Sequence, residues 1–183
     1  MDFTPVTFHL KDGRTAVLSV PTAEDAAEMV AFLKDVAAET EFLIAYPEER
    51  QAMTEAQEAA FLQHKHEDPN ALMLMCRVEG RLAGTCDVSF GSKIKVAHRG
   101  TIGISVRREF WGLGIGTAMF RELIAVARRR PGTLQLELDF MEGNQRGRAL
   151  YEKMGFRVVG VKPDAIRLKS GELRHEYGMM LKL

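Results

Sequence analysis

The sequence has no excess of charge: across 183 residues, 25 Lys plus Arg balance 25 Asp plus Glu. Without a field of one sign, nothing global draws the chain to nucleic acid or to an anionic membrane. Neither partner is expected, and any basic site must be local. Long apolar runs are missing too. No run reaches the ~18 residues a spanning helix needs, and the opening M-D-F-T-P-V-T lacks a basic region followed by an apolar core. The expected location is cytoplasmic. Cysteine is scarce: Cys76 and Cys86 sit in two apolar runs around Glu79-Gly80-Arg81, without C-x-x-C or Cys/His ligand spacing. They read as reduced, packed thiols. The five histidines show no metal spacing, since His64 and His66 are two apart and face differently on a helix. No metal is expected.

What the chain does have is concentrated between Thr101 and Thr117, T-I-G-I-S-V-R-R-E-F-W-G-L-G-I-G-T. Thr101 to Val106 alternates as a strand does, and Gly112, Gly114 and Gly116 remove side chains where an amphipathic helix begins. A helix start carries unpaired N–H groups and about half a positive charge, and glycines let an anion approach them. The spacing narrows the guest. A Walker loop needs a lysine after its glycines, and none follows here. A dinucleotide fingerprint G-x-G-x-x-G started at Gly112 would need its last glycine at Thr117, and Gly116 comes one residue early.

A second pattern lies downstream: Asn144-Gln145-Arg146-Gly147-Arg148-Ala149-Leu150-Tyr151-Glu152-Lys153-Met154-Gly155-Phe156. Together the two resemble the GCN5-related N-acetyltransferase (GNAT) superfamily. Its acyl-CoA pyrophosphate loop reads [QR]-x-x-G-x-[GA], and its later helix reads N-x-x-[AG]-x-x-L-Y-x-K-x-G-F. The resemblance covers roughly residues 95 to 160, with the motifs in the family's order. Trp111 stands where the family has Gln or Arg, so binding there is expected from backbone donors.

The remaining elements follow from pattern. Val6–Leu10 and Thr15–Val20 read as a hairpin around Lys11-Asp12-Gly13-Arg14. Thr22 with Asp25 caps a helix carrying Ala26, Met29, Val30, Leu33 and Val36 to about Glu39, and Thr54 with Gln57 caps another through His66. Glu39 to Pro47 reads as an apolar-rich loop. Ala71–Val78 and Leu82–Phe90 form the next hairpin, Lys95–Val106 a strand, and Ile115, Met119, Leu123, Val126 and Ala127 the buried stripe of a helix stopped by Pro131-Gly132. Thr133–Phe140 puts Leu134, Leu136, Leu138 and Phe140 on one face, and Val158–Val161 and Arg174–Leu183 close the sheet. Arg128 to Arg130 read as a solvated helix end. The result is one domain, 1–183, of α/β (α+β) class.

The resemblance implies a mixed, mostly antiparallel sheet of about six to seven strands with about four helices, and an acyl-CoA gap between two splayed parallel strands. It implies acetyl-CoA as co-substrate and an amine-bearing acceptor. Cofactor contacts then fall on Ile104, Ser105 and Val106 for the pantetheine arm; on Trp111, Gly112, Leu113, Gly114, Ile115, Gly116 and Thr117 for the pyrophosphate; and on Asn144, Arg146 and Tyr151. Arg107, Arg108 and Arg148 are further candidates for the nucleotide phosphates. Gly103 is consistent with a bulge. Tyr151 is the expected general acid at the departing thiolate. Glu41, Glu137 and Asp139 are candidate bases, and Glu41, Phe42 and Tyr46, with Leu43, candidate acceptor-pocket residues. A homodimer is also expected. Two other readings remain: a non-catalytic acyl-CoA-binding module and, against the glycine spacing, a dinucleotide-dependent oxidoreductase.

Overall fold

The computed structural model of the protein describes Met1 and residues 3–183; Asp2 of the opening stretch lies outside them. Eight strands and five helices follow the chain: β1 (Val6–His9), β2 (Thr15–Ser19), α1 (Ala26–Glu39), α2 (Pro47–Gln51), α3 (Glu55–Glu67), β3 (Ala71–Val78), β4 (Arg81–Phe90), β5 (Arg99–Val106), α4 (Ile115–Arg129), β6 (Gln135–Met141), α5 (Gln145–Lys153), β7 (Arg157–Arg167) and β8 (Leu173–Lys182). The strand order is β1-β2-β3-β4-β5-β6-β8-β7. By contacts the chain forms two compact units, Met1–Ser89 with Gly103–Met119, and Phe90–Ile102 with Phe120–Leu183.

In the first unit, the Lys11–Arg14 turn needs Gly13 at φ +89°, and the Asp12 carboxylate accepts from the Arg14 backbone N–H at 3.2 Å. α1 turns its apolar positions onto the sheet, so Ala26, Met29, Phe32 and Val36 form a core cluster with Leu62, Met75 and Leu82. Phe32 is fully buried, and truncating such a side chain to alanine costs about 3–5 kcal/mol. The entry to α1 is fixed by charge as well as packing: Arg77 on β3 binds Asp25 at 2.7 Å and also pairs with Glu28. Thr54 caps α3 by accepting from the Gln57 N–H at 3.3 Å.

The second unit holds the parallel pairing. β5 and β6 run parallel over three residue pairs, Arg99–Gln135 to Thr101–Glu137, while the strands themselves run on to Val106 and Met141. β6 pairs antiparallel with β8, and β7 with β8. Phe120 anchors the packing, with ring centroids 5.6 Å from Tyr151 and 5.7 Å, edge-on, from Phe156.

Several boundaries differ from the sequence reading. The loop after α1 contains the short helix α2, started by Pro47 and by the Glu49 carboxylate accepting from the Tyr46 N–H at 2.7 Å. The strand expected from Lys95 starts at Arg99, because Ile94–Val96 form a 3-10 turn with Ile94 95% exposed. Leu134 is exposed ahead of β6, whereas Leu136, Leu138 and Phe140 are buried as expected. β7 continues to Arg167 and carries no buried residue, so no periodicity marked its end. Among the described residues there are eight strands and five helices, close to the about six to seven and about four expected. Beside Gly103 the structure places a carboxylate: a Cβ there would lie 2.7 Å from Asp87 Oδ1. Close approach is the reason for that glycine.

Cys76 and Cys86 are free and buried, and burial pushes the Cys76 thiol up to about 12 and Cys86 well above its ordinary value. Among the described residues no helix is long and apolar enough to cross a membrane, and no cluster of three or more His, Cys, Asp or Glu is arranged for a metal.

Candidate active site

The glycine turn lies in the first unit. Gly112 and Gly114 take φ +80° and +106°, conformations that residues with a Cβ rarely adopt, and a Cβ at either would meet nothing within 4 Å. The turn is therefore open at both glycines. The first bond of the α4 ladder is donated by the Ala118 N–H to the Gly114 carbonyl at 3.0 Å, so the N–H groups of the preceding turn stand ahead of the helical ladder. Ile115 buries its side chain and seats the helix start in the core. The Leu113 carbonyl accepts from the Lys11 N–H at 3.1 Å, which ties the turn to the first hairpin. An anion with diphosphate geometry fits such a turn.

Trp111 explains its own departure from the loop pattern. Its indole Nε1 donates to the Val106 carbonyl at 2.7 Å, and the Arg108 guanidinium lies 5.5 Å over its ring. One lone pair of the Val106 carbonyl is thus engaged inside the chain, within the expected pantetheine-binding stretch Ile104 to Val106. Arg107 is not a phosphate ligand in waiting. It is 7% exposed, donates to the Leu82 carbonyl at 2.9 Å and to Asp35 at 2.6 Å, and lies over the Phe32 ring. The Arg108 N–H donates to Glu39 Oε2 at 2.6 Å, holding the end of α1 to the start of the turn.

In the acceptor-side loop, Glu41 is exposed and Phe42 and Tyr46 are half-buried. Leu43 is half-buried and packs against the α1 cluster. Pattern reading passed over Glu58 on α3, which is 3% exposed with no hydrogen-bond partner for Oε1. Burial raises its carboxyl above the ordinary range, with the Arg50 charge partly offsetting. Its polar type within a capped helix hid this.

The second motif lies in the second unit. Asn144 caps α5: its Oδ1 accepts from the Gly147 N–H at 2.9 Å. A Cβ on Gly147 would come within 2.7 Å of the Asn144 side chain, which is why a small residue stands there. Arg146 is exposed, and Arg148 pairs with Glu152 at 2.8 Å. Tyr151 is 8% exposed between the rings of Phe120 and Phe140, and burial raises its phenol to about 12. The candidate bases on β6 are already engaged. Glu137 accepts from Gln135 at 2.5 Å and lies 3.6 Å from Arg99; Asp139 lies 3.8 Å from Lys162. Arg130 is less solvated than its position suggested, with its guanidinium 4.4 Å over the Phe90 ring.

The fold and the two motifs thus define an α/β acyltransferase type, and the comparisons agree. The model of the acetyltransferase (GNAT) family matches residues 30–156, and the chain belongs to that family. It is similar to the acetyltransferase of GNAT family from Streptococcus pneumoniae, at 26% identity and TM-score 0.86, covering 92% of this chain and 99% of that one. The ribosomal-protein-alanine N-acetyltransferase from Brucella melitensis shares the fold at 22% identity and TM-score 0.77, covering 91% and 99%. So does yncA from Salmonella typhimurium, solved with its cofactor acetyl-CoA, at 17% identity and TM-score 0.78, covering 92% and 94%. Among curated proteins none matches this sequence.

Proposed function

We propose that the chain transfers the acetyl group of acetyl-CoA to a primary amine of a small molecule or of a peptide, by direct attack with both substrates bound. The observation that carries this is the family match over residues 30–156, which spans both motifs. Acetyl-CoA supplies the activated acetyl group; the amine nitrogen becomes bonded to the acetyl carbon, the carbon–sulfur bond breaks, and CoA leaves as a thiol.

The chain's own residues divide this work. Backbone N–H groups from Gly112 to Thr117 hold the pyrophosphate, with the α4 dipole behind them; the Trp111 N–H, expected among them, is already donated to the Arg108 carbonyl at 3.0 Å. Ile104, Ser105 and Val106 bind the pantetheine arm as an added strand, and Asn144 and Arg146 complete the cofactor contacts. Glu41, Glu137 or Asp139, or a water held by one of them, takes the proton the amine must lose. Glu41, Phe42 and Tyr46 line the acceptor side.

Tyr151 is assigned to the leaving sulfur. With its phenol near 12, it stays protonated at neutral pH. Full transfer of its proton to a thiolate of ordinary pKa near 8.5 would be uphill by roughly 5 kcal/mol. Its part is therefore a hydrogen bond to the developing thiolate, with the final proton drawn from solvent. Support for the whole chain 1–183 acting as one domain comes from the 92% coverage by a relative of nearly equal extent. Support for a homodimer comes from β7 at the sheet edge, where Val158, Val159 and Val161 remain exposed. The buried, reduced thiols suit a cytoplasmic location.

The test is CoA-thiol release from acetyl-CoA over polyamines, amino acids, aminoglycosides and short peptides with free N-termini, preceded by calorimetry of acetyl-CoA against NAD. Acetyl-CoA binding with turnover of at least one amine is expected. Preference for NAD, or acetyl-CoA binding with every amine class inert, overturns the transferase reading.

A further inference from the structure

In the first unit, Lys65 of α3 reaches β4. Its Nζ donates to Asp87 Oδ2 at 3.1 Å and to Ser89 Oγ at 2.9 Å. The Lys65 and Asp87 side chains are 19% and 33% exposed, so this carboxylate is largely fixed and not freely solvated. Its second oxygen, Oδ1, lies 2.7 Å from where a Cβ on Gly103 would stand. No residue with a Cβ fits at 103 without moving that oxygen. The glycine therefore lets a carboxylate oxygen overlook the β5 backbone immediately before Ile104, Ser105 and Val106.

A carboxylate held by one oxygen keeps acceptor capacity on the other. Lys65 has already balanced its charge, so a second cation gains less there than at an unpaired carboxylate. A second cation at the carboxylate is repelled by Lys65. A neutral amine is not penalised. It can donate one N–H to Oδ1 and keep its lone pair, the state in which nitrogen attacks a thioester. We propose that Asp87, anchored by Lys65 and uncovered by Gly103, binds and orients the primary amino group of the acceptor beside Ile104. This rests on the acetyl-transfer reading and adds an acceptor-binding residue that pattern reading passed over.

The experiment uses the full chain saturated with CoA at pH 7.5 and 2,2,2-trifluoroethylamine, a primary amine that is mostly neutral at that pH, as probe, following the Gly103 and Ile104 amide resonances by NMR. Saturable shifts are expected in the wild type, at least tenfold weaker in Asp87→Asn. Lys65→Met keeps the carboxylate but removes its anchor, and should weaken the probe by a clearly smaller factor, about threefold. Acetyl-CoA affinity by calorimetry should stay within threefold in both variants, which shows the fold intact. Absence of shifts in the wild type, or equal losses in the two variants, would overturn the inference; the latter reduces Asp87 to a partner of Lys65. Failure of the wild type to bind acetyl-CoA would instead overturn the acyl-CoA reading, and this inference with it.

Discussion

Each unit contains an aspartate on a strand, beside a lysine and a glycine, and the two aspartates differ in what holds them. Asp87 meets Lys65 at 3.1 Å, both side chains are at least two-thirds covered, and Ser89 takes a second lysine bond. Asp139 meets Lys162 at 3.8 Å, with the side chains 48% and 63% exposed, and Lys162 sits closer to Glu176, at 2.7 Å. The glycines follow the same order: a Cβ at 103 would stand 2.7 Å from Asp87 Oδ1, and one at 178 would stand 3.2 Å from Asp139 Oδ1. An exposed pair of the second kind contributes about 0–1 kcal/mol and leaves its carboxylate free to move. A covered pair fixes a carboxylate in one geometry, and fixed geometry is what a bimolecular attack needs.

The sharpest way to break this comparison is to neutralise both. Asp87→Asn should lower kcat/KM for the amine roughly a hundredfold, and at least tenfold more than Asp139→Asn does, by steady-state CoA release. Equal losses would erase the distinction. A smaller effect is expected at Tyr151, where Phe keeps the packing against Phe120 and Phe140 and removes only the hydroxyl. A drop of about tenfold in kcat, about 1.4 kcal/mol, should appear with the KM for acetyl-CoA unchanged.

Stability at high pH gives a third test. Burial raises the Tyr151 phenol from 10.0 to about 12 and the Cys76 thiol from 9.0 to about 12. Both groups bind their protons more tightly folded than unfolded. Their contribution is complete below the unfolded value and is lost as pH rises towards the folded one. Urea midpoints should fall from about pH 9 upward, and Tyr151→Phe should remove the part between about pH 10 and 12, roughly 3 kcal/mol. The smallest effect is expected at Glu58. Its raised carboxyl is a net cost once ionised, so Glu58→Gln should raise Tm at pH 7 by an amount that shrinks as pH falls through the acid range.

What the sequence made legible is local. The glycine spacing placed the turn before α4, and the apolar stripe of that helix is buried as read, from Ile115 through Ala127. Asn144 capped its helix as its residue type predicts. What stayed hidden depends on contacts across the chain. Lys65 and Asp87 are 22 positions apart, and Asp87 and Gly103 lie on separate strands. The visible hint was an acid inside the mostly buried run Leu82–Phe90. Arg107 looked like a phosphate ligand because it flanks the motif, and only its bonds to Asp35 and Leu82 reveal a buried strut. β7 gave no period to read because it buries nothing.

The most direct test of the account follows both products at once: acetylated amine by mass spectrometry and free CoA thiol by colorimetry, from the wild-type chain with acetyl-CoA and the best amine of the panel. Acetyl transfer predicts the two in equal amounts, with both rates falling together in Tyr151→Phe. Thiol released without acetylated amine would show water to be the acceptor and would contradict the account.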